Sequence, residues 1–230
     1  MTATTASPPL LRVGLPFVES TIGRKVVMAV TGLVLFGFVL GHFVGNLTLY
    51  LGPEAINGYS RFLHAFLHGG GVWVARSGLL ASAILHVWSA TSLTLESWAA
   101  RPLSYRRWKA KDSTYASRTM RWGGAILFAF IVFHLLHLTF GSVHPDFEPG
   151  DVYHNVVYGF QVWPVSVFYI VAMLLLGLHL DHGVWSLCQT LGLSHPRYKR
   201  WARAAARGFA VLIVVGNCSF PVAVLAGWVR

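Results

Sequence analysis

Five stretches of the chain are almost free of Asp, Glu, Lys and Arg, and each is long enough to cross a hydrocarbon core of about 30 Å, which takes about 20 helical residues. They cover residues 26–51, 77–95, 122–141, 160–187 and 208–228, with Asp181 the one charge inside them. An open sheet edge in lipid leaves backbone groups unpaired, so strands are excluded at these lengths. The pattern predicts an all-α integral membrane protein: a single membrane domain over residues 1–230, with the first four helices forming an up-down bundle. Residues 1–23 form a short segment ahead of the first span. They contain no compact apolar run, so no cleavable leader is predicted and the first helix stays in the mature chain.

Composition names the solvent. The chain is 55% hydrophobic and 11% charged with a mean hydropathy of +0.57, against about 25% charged residues in soluble domains. Lys and Arg number 18 and Asp and Glu 8, but the basic residues gather at span ends. No groove with interleaved aromatics forms, and nucleic acid is not an expected partner. The connection between the second and third spans holds Arg101, Arg106, Arg107, Lys109, Lys111, Arg118 and Arg121, and that between the fourth and fifth holds Arg197, Lys199, Arg200, Arg203 and Arg207. The positive-inside rule makes both cytoplasmic, together with the N-terminus at Arg24 and Lys25, and leaves the C-terminus outside. The third connection, with Asp146, Glu148 and Asp151, agrees. Cys188 and Cys218 form no CxxC or CxxCH, so neither zinc nor covalently attached haem is suggested.

Six of the 11 histidines lie within the spans: His42 in the first, His86 in the second, His134 and His137 in the third, His179 and His182 in the fourth. Ionisable groups at membrane depth are costly and usually face the bundle interior, which makes each a site candidate. Depth sorts them. At about 1.5 Å per residue, His42 lies roughly 25 Å from Lys25 and His134 roughly 20 Å from Arg121, both toward the outer face. On the same rise, His86 and His179 each lie about 15 Å from the cytoplasmic end of their helix. First and third helices are diagonal partners in an up-down bundle, as are second and fourth. Two bis-histidine sites stacked across the membrane result. Paired neutral imidazoles fill both axial positions of haem iron and leave it to exchange electrons. The competing reading, interhelical hydrogen bonding, fits a single such histidine better than four matched in depth. His137 and His182 each lie three residues from a neighbour on nearly the same face, so spacing does not choose between them, and either can support a ligand instead, with Asp181 a partner for His182. Gly37, Gly41 and Gly45, with Gly123 and Gly124, allow close approach of a helix or of a planar ligand.

The segments Gly41-His42-Phe43-Val44-Gly45-Asn46, Gly52-Pro53-Glu54-Ala55-Ile56-Asn57-Gly58-Tyr59, Leu85-His86-Val87, Phe133-His134-Leu135 and His179-Leu180-Asp181-His182-Gly183-Val184-Trp185-Ser186 resemble those of a known family. It is the single-polypeptide, two-haem cytochrome b subunits of bacterial succinate dehydrogenases and fumarate reductases. The resemblance selects His134 and His179 over His137 and His182. It implies two haems b, one on His42 and His134 and one on His86 and His179. It also implies an iron–sulfur subunit and a flavoprotein on the cytoplasmic side of a bacterial inner membrane, with electrons exchanged with a menaquinone or ubiquinone pool. A higher oligomer of the whole complex is compatible with it. Some quinol-oxidising relatives carry an acidic residue two positions before the fourth-helix ligand. Here that position is Gly177, which favours succinate as donor over the fumarate reductase direction.

Tyr59, Arg61, His64 and His68 are outer-side candidates for quinone contact, with a solvated loop as the plainer reading. The basic connections can bind either partner subunit or anionic headgroups. Two further classes stay open: a dihaem subunit of a hydrogenase or formate dehydrogenase, and a haem-free anchor or transporter.

Overall fold

The computed structural model describes residues 16–100 and 114–230. Residues 1–15 and the basic positions Arg101, Arg106, Arg107, Lys109 and Lys111 lie outside the described residues. Every regular element described is helical: α1 Pro16–Glu19, α2 Thr21–Asn46, α3 Pro53–Ala65, α4 Gly70–Ala99, α5 Tyr115–Leu138, α6 Val152–Gln161, α7 Trp163–Thr190 and α8 Lys199–Leu225. Short 3₁₀ turns, Leu47–Leu51 and Phe66–Gly69, flank α3. Five of these helical stretches are long and apolar enough to cross a membrane.

The spans run past the charge-free windows because charged residues at their ends find partners without leaving the helix. Glu96, three residues before the end of α4, accepts from Thr21 Oγ1 at 2.8 Å and pairs with Arg24 at 3.2 Å. Arg118 and Arg121 lie on α5, and Arg200, Arg203 and Arg207 lie on the first turns of α8 rather than in a loop. Side-chain oxygens fix several helix starts: Ser20 accepts from Gly23 N at 2.9 Å, Thr114 from Ser117 N at 3.1 Å and Asp151 from His154 N at 2.9 Å, each satisfying an orphan first-turn donor. The fourth span begins at Trp163, not at residue 160. Val162 is extended, with φ −74° and ψ 95°, and Pro164 enters the first turn of α7, where its missing N–H costs nothing.

α2 packs on α4, α5 on α7, and α7 also on α2 and α8. α4 and α5 meet at the basic end, where Arg121 donates to Ser97 Oγ at 3.2 Å and lies 5.7 Å over the Trp98 ring. α2 thus stands across the bundle from α5, and α4 from α7. α8 seals the outside of α7 and α2. Phe36 meets Phe209 edge-on at 5.5 Å, Tyr50 donates to Ser219 at 2.6 Å, and a Cβ at Gly216 would collide with the Phe43 ring. Lipid tails are as apolar as leucine, so close packing rather than removal from water holds these contacts.

Away from the basic end, α3 and α6 lie against each other, amphipathic pieces too short and too polar to read as spans. Asn57 staples them, donating to Asp151 Oδ1 at 2.9 Å and accepting from Tyr153 N at 3.1 Å. Buried Asn155 clamps the backbone of Glu148, accepting from its N–H and donating to its carbonyl, both at 2.8 Å. The C-terminus joins this end, where Tyr153 donates to the Arg230 carbonyl at 2.9 Å. The chain reverses between α3 and α4 through Leu67, His68 and Gly69, all at positive φ (52°, 54° and 85°).

Candidate functional site: two facing histidine pairs

The pair nearer the basic end joins α4 to α7. His86 and His179 have ring centres 6.2 Å apart with planes at 57°. His86 is aimed by the neighbouring helix. Its Nδ1 lies 3.1 Å from the Met28 carbonyl oxygen and 3.3 Å from Thr31 Oγ1. A carbonyl only accepts, so Nδ1 carries the proton and Nε2 is left as the lone-pair nitrogen. Thr31 contributes little more, because its hydroxyl already donates to the Val27 carbonyl at 2.7 Å.

The second pair joins α2 to α5, farther from the basic end. His42 and His134 have ring centres 5.9 Å apart with planes at 83°. Phe38 stacks on His42 at 5.3 Å and Phe130 on His134 at 5.8 Å. Tyr169 of α7 reaches both histidines of α5, its oxygen 3.3 Å from His134 Nδ1 and 3.0 Å from His137 Nδ1.

The four histidines matched in depth along the sequence are therefore the four that meet, in the same two pairs. Their neighbours stand aside. His137 is fully buried and packs on Phe133 and on His144, whose rings lie 5.4 and 4.9 Å away. His182 has no ring or hydrogen-bond partner among the described residues. Asp181, expected as its partner, acts on it electrostatically and also forms an ion pair across to α8 with Arg207 at 3.6 Å.

Haem can be tested against this geometry. Two metal–nitrogen bonds of about 2.0–2.1 Å, with about 1.1 Å from each nitrogen to its ring centre, place ligating imidazoles about 6.2 Å apart. Both pairs have that spacing. Among the described residues no group of three or more His, Cys, Asp or Glu could hold a metal ion; a haem, whose macrocycle brings its own remaining ligands, matches a donor set of two histidines. A Cβ at Gly37, Gly41 or Gly123 would meet nothing within 4 Å, and one at Gly124 only His179 Cε1 at 4.0 Å, so no neighbouring side chain crowds these glycines. Helix packing does not require glycine at these four positions, whereas a Cβ at Gly45 would collide with the Tyr59 ring. Two buried polar atoms at the His86–His179 pair, His179 Nδ1 and Ser89 Oγ, have no protein partner among the described residues. The residues fit the group.

Gly177 is explained by packing. A Cβ there would collide with Val214 Cγ2 of α8, so a side chain at the position that is acidic in some relatives would have to displace Val214. Of the outer candidates, Tyr59, Arg61 and His64 share α3, His64 bonding the Ser60 carbonyl of its own helix at 2.8 Å, while His68 lies in the reversal before α4. Sequence reading missed Tyr169 and the Met28 carbonyl. A tyrosine in an apolar span signals the first, since a buried phenol seeks a partner. A main-chain acceptor leaves no mark in the sequence.

Fold and site define a multi-pass, all-helical membrane protein with two facing histidine pairs at different depths. Residues 98–216, more than half of the chain, match the model of the succinate dehydrogenase/fumarate reductase transmembrane subunit, and the chain belongs to that family. The matched segment contains His134 and His179; His42 and His86 lie before it. No curated protein and no solved structure matches the chain. Membership removes the hydrogenase, formate dehydrogenase and transporter alternatives.

Proposed function

We propose that the chain is the cytochrome b anchor of a succinate:quinone oxidoreductase, with haem b on His42 and His134 and a second haem b on His86 and His179. The observation that carries this reading is the pairing itself: four helices contribute one histidine each, at two depths, with ring spacings of 5.9 and 6.2 Å. Haem held there would supply one-electron transfer across the membrane between an iron–sulfur subunit and a quinone.

The chain's own residues set the conditions. Met28 and Tyr169 orient one histidine of each pair, and the apolar spans keep water from the rings. The basic end, with Arg24, Arg121, Arg203 and Arg207, faces the cytoplasm by the positive-inside rule and docks the iron–sulfur subunit, which carries the flavoprotein. α3 presents Tyr59, Arg61 and His64 at the other end, near the outer pair, as contacts for menaquinone or ubiquinone. Gly177, which stands where some quinol-oxidising relatives carry an acidic residue, supports succinate as the electron donor.

Paired substitutions in the purified, fully assembled complex test the reading. His86→Ala with His179→Ala removes one haem, His42→Ala with His134→Ala removes the other, and succinate:quinone activity falls in both. Loss of both haems from either double variant, or of neither, contradicts the pairing.

A further inference from the structure

We propose that Tyr169 is the positioning residue of the outer pair, accepting a hydrogen bond from Nδ1 of His134 while donating its own proton to Nδ1 of His137. This rests on the haem reading and adds to it the group that fixes one ligand's orientation and electron donation.

The argument is one of counting protons. Two Nδ1 atoms meet one phenol oxygen, at 3.3 and 3.0 Å, and a phenol has a single proton to give. A neutral imidazole that ligates through Nε2 must carry its proton on Nδ1, so His134 donates to the Tyr169 oxygen. The phenol O–H is then free for His137 alone. His137 accepts on Nδ1 and keeps its own proton on Nε2, the atom that is buried without a partner.

The network ends there. His144, whose ring is 4.9 Å from that of His137, already has both nitrogens engaged. Its Nδ1 accepts from Asp146 N at 3.0 Å and its Nε2 donates to the Asn155 carbonyl at 2.8 Å. The array is thus a closed brace and not a route to the surface. Tyr169 is itself fixed, 6% exposed and met edge-on by Phe130 at 5.0 Å and Phe160 at 4.9 Å. The arrangement also assigns His137 its place: it stands behind the phenol, and only its neighbour three residues earlier meets His42.

A hydrogen bond from the far nitrogen of a ligating imidazole raises its basicity. Removing the acceptor therefore weakens donation to the oxidised iron and raises the midpoint potential of the outer haem. The test is redox titration and low-temperature EPR of the purified complex, with haem counted by pyridine haemochrome. The outer signal is the one retained in His86→Ala. Tyr169→Phe is expected to keep both haems, to lose about 10–100-fold in outer-haem affinity and to shift the outer potential upward with a changed EPR signature. His137→Leu should shift the same signal in the same direction, and His137→Gln, which again offers the phenol an acceptor, should restore it. Two haems with an unchanged outer signature in Tyr169→Phe overturn the positioning role and leave the haem reading intact, whereas wild-type complex without haem overturns both. Should Tyr169→Phe fail to assemble, His137→Leu against His137→Gln decides: a shift restored by Gln supports the brace, and identical signatures overturn it.

Discussion

The imidazole of His86 is held by the main chain of the neighbouring helix, with Nδ1 3.1 Å from the carbonyl oxygen of Met28. No side-chain substitution removes that acceptor. Thr31→Val, which deletes the weaker 3.3 Å contact, is expected to leave both haems in place. Gly32 is different, because a Cβ there would already lie 3.3 Å from His86 Cε1. Gly32→Leu should push the ring aside and empty the inner site alone, while Gly32→Ala is tolerated. Haem counts on the two variants check both expectations.

Gly177 lets α7 and α8 meet. Gly177→Ala forces a methyl against Val214 and should cost about 1–3 kcal/mol through overpacking. Val214→Ala in the same chain should recover part of that loss. Thermal unfolding of the purified complex measures it, and an unchanged midpoint for Gly177→Ala would mean that the two helices are farther apart.

The staple between α3 and α6 is pH-dependent. The backbone N–H of His154 and the side-chain amide of Asn57 hold the Asp151 carboxyl below its ordinary value of 3.8. A depressed folded-state value means that its stabilisation is complete above that ordinary value and is lost as pH falls through the lower folded one. Hydrogen exchange at the start of α6 should accordingly rise only in acid below the ordinary value. Asp151→Asn, which keeps the acceptor oxygen, should flatten the dependence, and Asp151→Ala should raise exchange at every pH by removing a cap of about 0.5–2 kcal/mol.

Asn155 is 4% exposed and satisfies both backbone groups of Glu148. Asn155→Leu leaves an N–H and a carbonyl without partners, at about 1–3 kcal/mol each where they remain buried. The variant should melt earlier than wild type while retaining its haem, because neither histidine pair touches this loop.

The spans and the pairing of spans were legible because a charge-free run marks a helix in lipid and the rise per residue converts sequence offset into depth. Depth along each helix matched the first span to the third and the second to the fourth, while the choice of His134 over His137 and of His179 over His182 came from the family resemblance. Helix ends were less legible. Charge-free windows stop at Arg76 and Glu96, yet α4 extends from Gly70 to Ala99, since Glu96 finds Thr21 and Arg24 on another helix. α3 and α6 were missed because their mixed polarity resembles that of a loop, and the ion pair of Asp181 because Arg207 lies 26 residues away in sequence. Tyr169 carried no signal along the sequence that tied it to His134 and His137, which lie 35 and 32 residues away.

The measurement that tests the central claim most directly is a dithionite-reduced minus oxidised spectrum of the purified, assembled complex with a pyridine haemochrome titration. About two non-covalent haems b per chain, one for each histidine pair, are predicted. A well-folded preparation without haem would contradict the account and leave a haem-free anchor whose four facing histidines serve another purpose.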